Sequence, residues 1–331
     1  MDLSTTYLGK RLPHPLIVGA GPLGDDPDTV RALEDAGAAM IVLRSLYEEE
    51  VTQEQMSEFV NVEGFSDSFP EATSFAPDPS LSLGPDEYLQ HLRLIKDAVD
   101  IPVMASLNGM TRGGWLEYAC LLEEAGADGL ELHIYHAASD MTMSAADVER
   151  QAIDIVKEVK GSLHIPVAVK LAPLLTAFAH FAKSLDEVGA DGLVLFTRFH
   201  RIDIDADELE VVRTLPLSDS SELPLRLRGT AALAGRIKAS IAITGGVHTG
   251  LDVIKSTMAG AHGTQLVSAL LRHGPDHLRT VRREIESWMR EHEWESLNEM
   301  RGNMSLGWLD VLLRLDNEGR GHDGDQKGQA E

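Results

Sequence analysis

Two cations lie at the ends of apolar runs, where a charged side chain needs a chemical reason. Lys170 stands within Val-Ala-Val-Lys-Leu-Ala, and Arg44 ends the run Ile-Val-Leu-Arg. Because lysine and arginine are almost never buried unless they are paired, an anionic ligand or cofactor would stabilise both. Lys170 has three candidate roles: a charge that tunes a bound redox ring, a Schiff-base amine, or one half of an ion pair.

Two glycine-rich or small-residue segments are typical of phosphate binding. Ile243-Thr-Gly-Gly-Val247 precedes a predicted helix that begins near Gly250, and Gln265-Leu-Val-Ser268 precedes the last helical region. Backbone N–H groups at a helix N-terminus bind phosphate, and glycine lets the backbone approach it closely. The alternative is that these are ordinary turn glycines. The pairing of the two segments favours a phosphate site that includes Gly245, Gly246, Val267 and Ser268.

Two histidines follow another apolar run, at His133 and His136. An imidazole titrates near neutral pH and is a natural general acid or base; the alternative is a hydrogen-bonded structural histidine. Catalytic metal sites need ligands from several strands, and the first predicted strand, Leu-Ile-Val-Gly-Ala, offers none. We therefore expect no metal and take His136 as the candidate acid or base.

A repeated phrase predicts the elements that must position these residues. An acidic residue or methionine, a small residue or valine, then Gly-Ala, occurs four times, and a short apolar run follows each, as in a buried strand. Its glycines are predicted to end helices in the left-handed conformation; they are Gly37, Gly126, Gly189 and Gly260. A second phrase begins with proline at Pro15, Pro102 and Pro166, and Ser240–Thr244 fills its fourth slot. The two sets interleave into eight strands: 16–20, 39–44, 102–107, 128–133, 167–172, 192–197, 241–244 and 264–267.

Helical patterns separate these strands, as in Leu89, Leu92, Ile95 and Val99. Eight alternating units predict a (β/α)₈ TIM barrel of the α/β class, with a doubly wound sheet as the competing architecture. Two segments, 45–84 and 198–230, interrupt the alternation. A long final helix is predicted over Pro275–Trp294, and a polar tail follows over 316–331. The segment 45–84 is long enough to predict a functional lid, although an acidic surface insertion is the alternative. We expect one domain over 1–315 and a disordered tail.

Composition limits the class of protein. The chain has 331 residues, with 29 Lys+Arg against 53 Asp+Glu and a net charge of −24. A highly solvated surface or a salty cytoplasm explains that charge, which would repel nucleic acid. No apolar run approaches the roughly 18 residues that span a bilayer, and no signal peptide is visible, so we expect a cytoplasmic protein away from membranes. With Cys120 as its one cysteine, the chain has neither an intrachain disulfide nor its own iron–sulfur ligand set.

The strand ends resemble those of the flavin-containing dihydroorotate dehydrogenases, particularly the soluble class, over roughly residues 3 to 300. Residues 3–16 are similar to the opening hairpin that covers the barrel floor in that family. Further matching segments are Gly19-Ala-Gly21, Arg44-Ser45, Leu83-Gly84 with Tyr88-Leu89, Val169-Lys170-Leu171, Thr244-Gly-Gly-Val with Thr249-Gly250, and Gly260-Ala with Gln265-Leu-Val-Ser-Ala-Leu270.

The resemblance implies FMN, with its phosphate between the loops after the seventh and eighth strands. It implies that Lys170 contacts the isoalloxazine ring and stabilises negative charge on the reduced flavin. The cofactor-binding residues that we expect are Gly19, Ala20, Gly21, Arg44, Ser45, Asn108, His133, Lys170, Thr197, Thr244, Gly245, Gly246, Val267 and Ser268.

The substrate side departs from the family pattern. Where the family has asparagines around the pyrimidine, this chain has Ser82, His133, Ala138 and Thr197. The family's catalytic Cys or Ser is replaced by His136, and Arg226-Leu-Arg-Gly229 stands where the family has a Gly-Gly in the sixth loop. A polar ring built for one substrate rejects a mismatched one. The expected reaction is hydride transfer between flavin N5 and a CH–CH bond, on a substrate that need not be dihydroorotate.

Three roles and two alternatives complete the interpretation. Lys170, Arg44 and His136 are the expected catalytic residues, with Arg44 holding an anionic group of substrate or flavin. One alternative is a lyase or aldolase that forms a Schiff base on Lys170; the other is a non-catalytic flavin-binding subunit of a redox complex. The expected partners are a small-molecule substrate and a redox partner or iron–sulfur subunit, and the resemblance implies a homodimer.

Overall fold

The computed structural model describes residues 1–47, 84–108, 114–134, 141–198, 201–214 and 216–306. The tail predicted over 316–331 and most of the predicted lid over 45–84 lie outside these residues. So do three predicted site residues, Ser82, His136 and Ala138.

The twelve described strands fall into a barrel and two hairpins. They are β1 (Thr5–Tyr7), β2 (Lys10–Leu12), β3 (Leu16–Val18), β4 (Met40–Tyr47), β5 (Val103–Asn108), β6 (Gly129–His133), β7 (Val167–Leu171), β8 (Gly192–Leu195), β9 (Arg201–Asp205), β10 (Glu210–Thr214), β11 (Ser240–Thr244) and β12 (Gly263–Leu266). Eight of them pair in parallel as a closed ring in the order β11-β12-β3-β4-β5-β6-β7-β8. The TIM barrel is thereby confirmed and the doubly wound sheet is excluded. Each predicted barrel strand lies within three residues of its observed bounds.

Helices follow the barrel strands and cover the outside of the sheet. They are α1 (Pro27–Asp35), α2 (Pro85–Ala98), α3 (Gly114–Glu124), α4 (Ala145–Ser162), α5 (Phe178–Glu187), α6 (Leu223–Leu233), α7 (Gly250–Ala259), α8 (Ser268–His273), α9 (His277–Glu291) and α10 (Leu297–Met300). The repeated glycines have the predicted left-handed backbone, with φ from 93° at Gly37 to 117° at Gly260. In the described part of the chain, no helix has the length and apolar character to cross a membrane.

The predicted excursion over 198–230 is wrong in its second half. Residues 201–214 form the β9–β10 hairpin, but α6 begins at Leu223, so Arg226-Leu-Arg-Gly229 lies in the sixth barrel helix and not in a loop. The leucines at 223, 225 and 227 alternate along the chain, a spacing that is typical of a strand and conceals the helix. Gly229 brings α6 close to the sheet, because a Cβ there would lie 2.8 Å from the Phe196 ring.

The N-terminal hairpin closes the lower end of the barrel, as the family resemblance implied. Tyr7 and Leu12 are fully buried and pack with Met40 and Met104 in the barrel interior. Leu8 reaches so far inward that a Cβ at Gly192 would lie 2.5 Å from its Cδ2. Because these side chains fill the lower end of the described barrel, we look for a ligand site at the carboxyl ends of the strands, where barrel active sites lie.

Candidate active site

Three predicted site residues lie side by side at the carboxyl ends of neighbouring strands. Asn108 of β5 is in register with His133 of β6, and His133 is in register with Lys170 of β7. Thr197 follows β8, and its N–H donates a hydrogen bond to the carbonyl of Leu171, 2.9 Å away. These four residues therefore line one arc of the barrel mouth, as expected from the strand ends.

Lys170 belongs to a buried polar network that crosses the barrel. Its Nζ donates to Glu131 Oε1 at 3.0 Å, and Gln265 Nε2 donates to Glu131 Oε2 at 2.5 Å. Glu131 is completely buried, while Gln265 is 1 % exposed and Lys170 is 9 % exposed. The carboxylate is thus satisfied on both oxygens by groups from β7 and β12. Sequence reasoning missed Glu131 and Gln265, although each is a polar residue within a short apolar strand, the same signal that identified Lys170.

His133 is held as a neutral imidazole. Burial, together with the nearby charge of Lys170, lowers the pKa of His133 to about 3. At neutral pH the ring can donate or accept a hydrogen bond but carries no charge. This suits the predicted binding role of His133 better than a role as an acid near pH 7.

The Arg44–Ser45 segment lies at a bulge in β4. The register between β4 and β5 shifts between Val42 and Ser45. The hydroxyl of Tyr88 bridges the gap: it donates to the Arg44 carbonyl at 2.7 Å and accepts from the Ser106 N–H at 3.1 Å. Ser45 Oγ lies 2.6 Å from Ser106 Oγ. Tyr88 therefore positions two predicted site residues from the adjoining helix α2.

The Arg44 side chain is paired within the described structure. Its guanidinium binds both carboxylate oxygens of Asp25, with Nε at 3.1 Å from Oδ1 and Nη2 in contact with Oδ2. Arg44 therefore brings an ion pair to the mouth, and the acidic partner was not foreseen from the sequence.

The turn after β3 packs tightly on the loop after β12. A Cβ at Gly19 would lie 3.0 Å from Gln265 Cβ and from Val267 Cγ2, and a Cβ at Gly21 would lie 3.0 Å from Val267 Cγ1. Larger residues would push the two segments apart. The predicted cofactor residues of the first and eighth strand ends, Ala20 between the two glycines included, are therefore neighbours.

The two predicted phosphate loops meet through a serine that sequence reasoning missed. Gly245 and Gly246 have φ of 79° and 78°. The Gly246 N–H donates to Ser218 Oγ at 3.3 Å, and the Ser218 N–H donates to Ser268 Oγ at 3.0 Å. Ser218 thus joins the loop after β11 to the loop after β12, and no local pattern marks it because both contacts come from distant segments.

Two arginines support the first of these loops from α6 and the end of β8. Arg198 binds both carboxylate oxygens of Glu222, at 2.9 and 3.0 Å. Arg226 Nε donates to the Thr244 carbonyl at 3.0 Å, and its Nη2 lies 3.3 Å from Glu222 Oε2. The cluster carries one net positive charge directly beside the Gly245 turn.

The start of α7 adds to the same end of the barrel. Thr249 and Asp252 form a capping box, and Asp252 also accepts from the His248 N–H at 3.0 Å. The helix therefore begins at a fixed point beside Gly246, as predicted. Among the described residues, no group of three or more His, Cys, Asp and Glu side chains could hold a metal ion.

Comparison with known proteins gives a family match over most of the chain. Residues 79–289 match the family model described as dihydroorotate dehydrogenase. Two relatives are named dihydroorotate dehydrogenase B (NAD(+)), catalytic subunit: the Thermoplasma volcanium protein is 25% identical over 91% of this chain and 98% of its own, and the Thermoplasma acidophilum protein is 26% identical over the same shares. The chloroplastic dihydropyrimidine dehydrogenase (NADP(+)) of Arabidopsis thaliana is 22% identical over 91% of this chain and 76% of its own.

Proposed function

The chain belongs to the dihydroorotate dehydrogenase family and is a flavin-dependent oxidoreductase, and on that premise we propose that it binds FMN at the barrel mouth and transfers hydride to or from a CH–CH bond. The observation that carries the proposal is a juxtaposition: Lys170 stands at the same end of the barrel as two loops joined by Ser218.

The residues present fit FMN. The Gly19–Gly21 turn has no space for side chains against Val267, and Gly245 and Gly246 form a turn with left-handed backbone in which the Gly246 N–H is held by Ser218 Oγ. We assign the phosphate to Gly245, Gly246, Val267 and Ser268, with Ser218 as an added contact. Lys170 is assigned to the ring, and the other residues around the cofactor are Ala20, Arg44, Ser45, Asn108, His133, Thr197 and Thr244.

FMN, when bound, supplies a two-electron centre that exchanges hydride at N5. The chain's own residues bind, orient and charge-balance it. Lys170 brings a cation to the ring, where negative charge appears on reduction, while the neutral His133 offers a hydrogen bond without adding charge. The filled lower end of the barrel limits water to the mouth.

The ion pair on Lys170 disfavours the Schiff-base alternative. A Schiff base forms from a neutral amine, and Lys170 Nζ lies 3.0 Å from a fully buried carboxylate. Loss of the ammonium charge would leave Glu131 buried without its cation, which is strongly unfavourable. The oxidoreductase interpretation needs no such loss.

The substrate site and the partners remain part of the proposal. We assign Ser82, His133, Ala138 and Thr197 to the substrate, His136 to proton transfer and Arg44 to an anionic group. The relatives named catalytic subunits and the dihydropyrimidine dehydrogenase support a reduced pyrimidine as the substrate class and a second, electron-accepting subunit as partner. A homodimer and a single domain over 1–315 are further proposals.

The visible spectrum of the purified protein tests the cofactor assignment. Flavin bands near ~375 and ~450 nm, with FMN released by heat, are expected. Anaerobic addition of dihydroorotate, dihydrouracil or dihydrothymine should then bleach the flavin if that compound is the substrate. Lys170→Met should weaken FMN binding at least tenfold, while Lys183→Met, on an exposed pair with Glu187, should leave it unchanged. A colourless protein that fails to take up added FMN would overturn the proposal.

A further inference from the structure

We propose that Glu131 is a positioning residue that sets the reduction potential of the flavin by partly neutralising Lys170. The inference rests on the proposed function, because it concerns how the same site treats bound FMN. Glu131 is assigned no contact with the flavin; it acts through the lysine.

The geometry holds the Glu131 carboxylate from two sides of the barrel and thereby fixes its position against Lys170. Glu131 lies on β6, Lys170 on the neighbouring β7 and Gln265 on β12, across the interior. The Gln265 amide holds one carboxylate oxygen at 2.5 Å, so the other oxygen stays directed at Lys170 Nζ at 3.0 Å. An ammonium has three N–H donors, and within the part of the chain that the structure describes Lys170 gives one of them to Glu131.

The charge balance decides the sign of the effect. Hydride transfer adds two electrons and one proton to the ring, which therefore gains one negative charge. A cation nearby stabilises that charge and raises the potential. The Glu131 carboxylate, fully buried and hence little screened by solvent, cancels part of the field of Lys170. Native Glu131 therefore holds the potential below the value that Lys170 alone would give.

A purely structural role for the pair predicts something different. If Glu131 only satisfied Lys170 within the barrel, its removal would lower the unfolding free energy and the affinity for both redox forms of the flavin equally. The potential of bound FMN depends on the ratio of these two affinities. If both affinities fell equally, the potential of bound FMN would not change.

The test is the midpoint potential of bound FMN in Glu131→Gln, measured by slow enzymatic reduction against a reference dye. We expect a more positive potential than in the parent, with the ratio of reduced-to-oxidised affinity rising about tenfold, or roughly 30 mV for a two-electron couple. Gln265→Leu is the matched control: it removes a hydrogen bond from the same carboxylate but leaves both charges, and should shift the potential much less. Lys170→Met should shift it to more negative values.

Other outcomes separate the two proposals. A parent protein that holds FMN, with a Glu131→Gln potential equal to or below that of the parent, overturns the role of Glu131 and leaves the proposed function intact. A parent that binds no FMN overturns both. If Glu131→Gln does not fold, Glu131→Asp withdraws the carboxylate by one methylene and should give a smaller positive shift; an unchanged potential there also contradicts the inference.

Discussion

Two buried histidines at the lower end of the barrel are neutral in the folded protein. Burial, with Arg282 nearby, lowers the pKa of His14 to about 4, and burial, with Arg301 nearby, does the same for His262. The His262 Nδ1 accepts the Ile241 N–H at 3.0 Å, a role that only the uncharged nitrogen can fill. Charging either ring therefore opposes the folded state.

The pH dependence of stability follows from these pKa values. Well above pH 6.5 both histidines are neutral whether the chain is folded or unfolded, so neither lowers the free energy of unfolding. As the pH falls from 6.5 towards about 4, the unfolded chain binds protons that the folded chain does not, and the free energy of unfolding falls by up to ~3 kcal/mol for each histidine. Urea denaturation at pH 7 and pH 4.5 measures this loss.

Single replacements identify the source of the loss. His14→Gln should make the pH profile shallower but not flat, since His14 no longer titrates while His262 still does. His164→Gln, whose ring is 96% exposed, should leave the profile as in the parent. A profile that is equally steep in both variants would contradict the assignment to His14.

At the scale of elements, the sequence predicts the strands and helix ends that repeat along the chain. It does not predict contacts between residues that come together only after folding. The strands and the glycine helix ends recur along the chain, so periodicity and Gly37-type turns were sufficient to place them. The sequence did not predict helix α6, because its leucines alternate along the chain in the pattern of a strand. Glu131 pairs with Gln265, 134 residues away, and Ser218 joins two loops that come together only at barrel closure. Such contacts leave no local pattern.

The Tyr88 hydroxyl replaces ladder hydrogen bonds at the β4 bulge. Tyr88→Phe leaves the Ser106 N–H and the Arg44 carbonyl without this partner, which should lower the free energy of unfolding by about 1–3 kcal/mol. Because the bulge carries Arg44 and Ser45, FMN affinity should fall as well. Tyr118→Phe, which removes a hydrogen bond to Pro85 at the start of α2, should cost stability alone. Equal FMN affinity in Tyr88→Phe and Tyr118→Phe would contradict the assignment of the β4 bulge to the cofactor site.

The proposed contact of Ser218 with the phosphate can be tested by comparing FMN with riboflavin. Ser218→Ala removes the hydroxyl that accepts from Gly246 and keeps the backbone N–H that donates to Ser268. The dissociation constant for FMN, followed by fluorescence quenching, should rise about tenfold, equivalent to roughly 1.4 kcal/mol. Riboflavin lacks the phosphate, so its affinity should be unchanged by the same replacement. Parallel losses for the two flavins would show that Ser218 acts elsewhere.

At the scale of the whole molecule, the first twelve residues hold the barrel closed from below. Leu8 is 5 % exposed and fills the space beside Gly192. Leu8→Ala should lower the free energy of unfolding by about 2–5 kcal/mol, because it leaves a cavity in the barrel interior. Leu94→Ala, at a side chain that is 52 % exposed, is the control and should change stability little. Equal denaturation midpoints in Leu8→Ala and Leu94→Ala would contradict the role of the N-terminal hairpin in stabilising the barrel.

The same N-terminal segment is joined to the last described residues. The Asp2 N–H donates to the Glu295 carbonyl at 2.8 Å, the Leu297 N–H donates to the Asp2 carbonyl at 3.0 Å, and Arg301 donates to Thr5 Oγ1 at 2.7 Å. During synthesis on the ribosome, residues 2–5 must wait until residues 295–301 have been made. At about 5–20 residues per second that delay is on the order of tens of seconds, during which Tyr7, Leu8 and the apolar strand β3 emerge without their partners and are open to a chaperone.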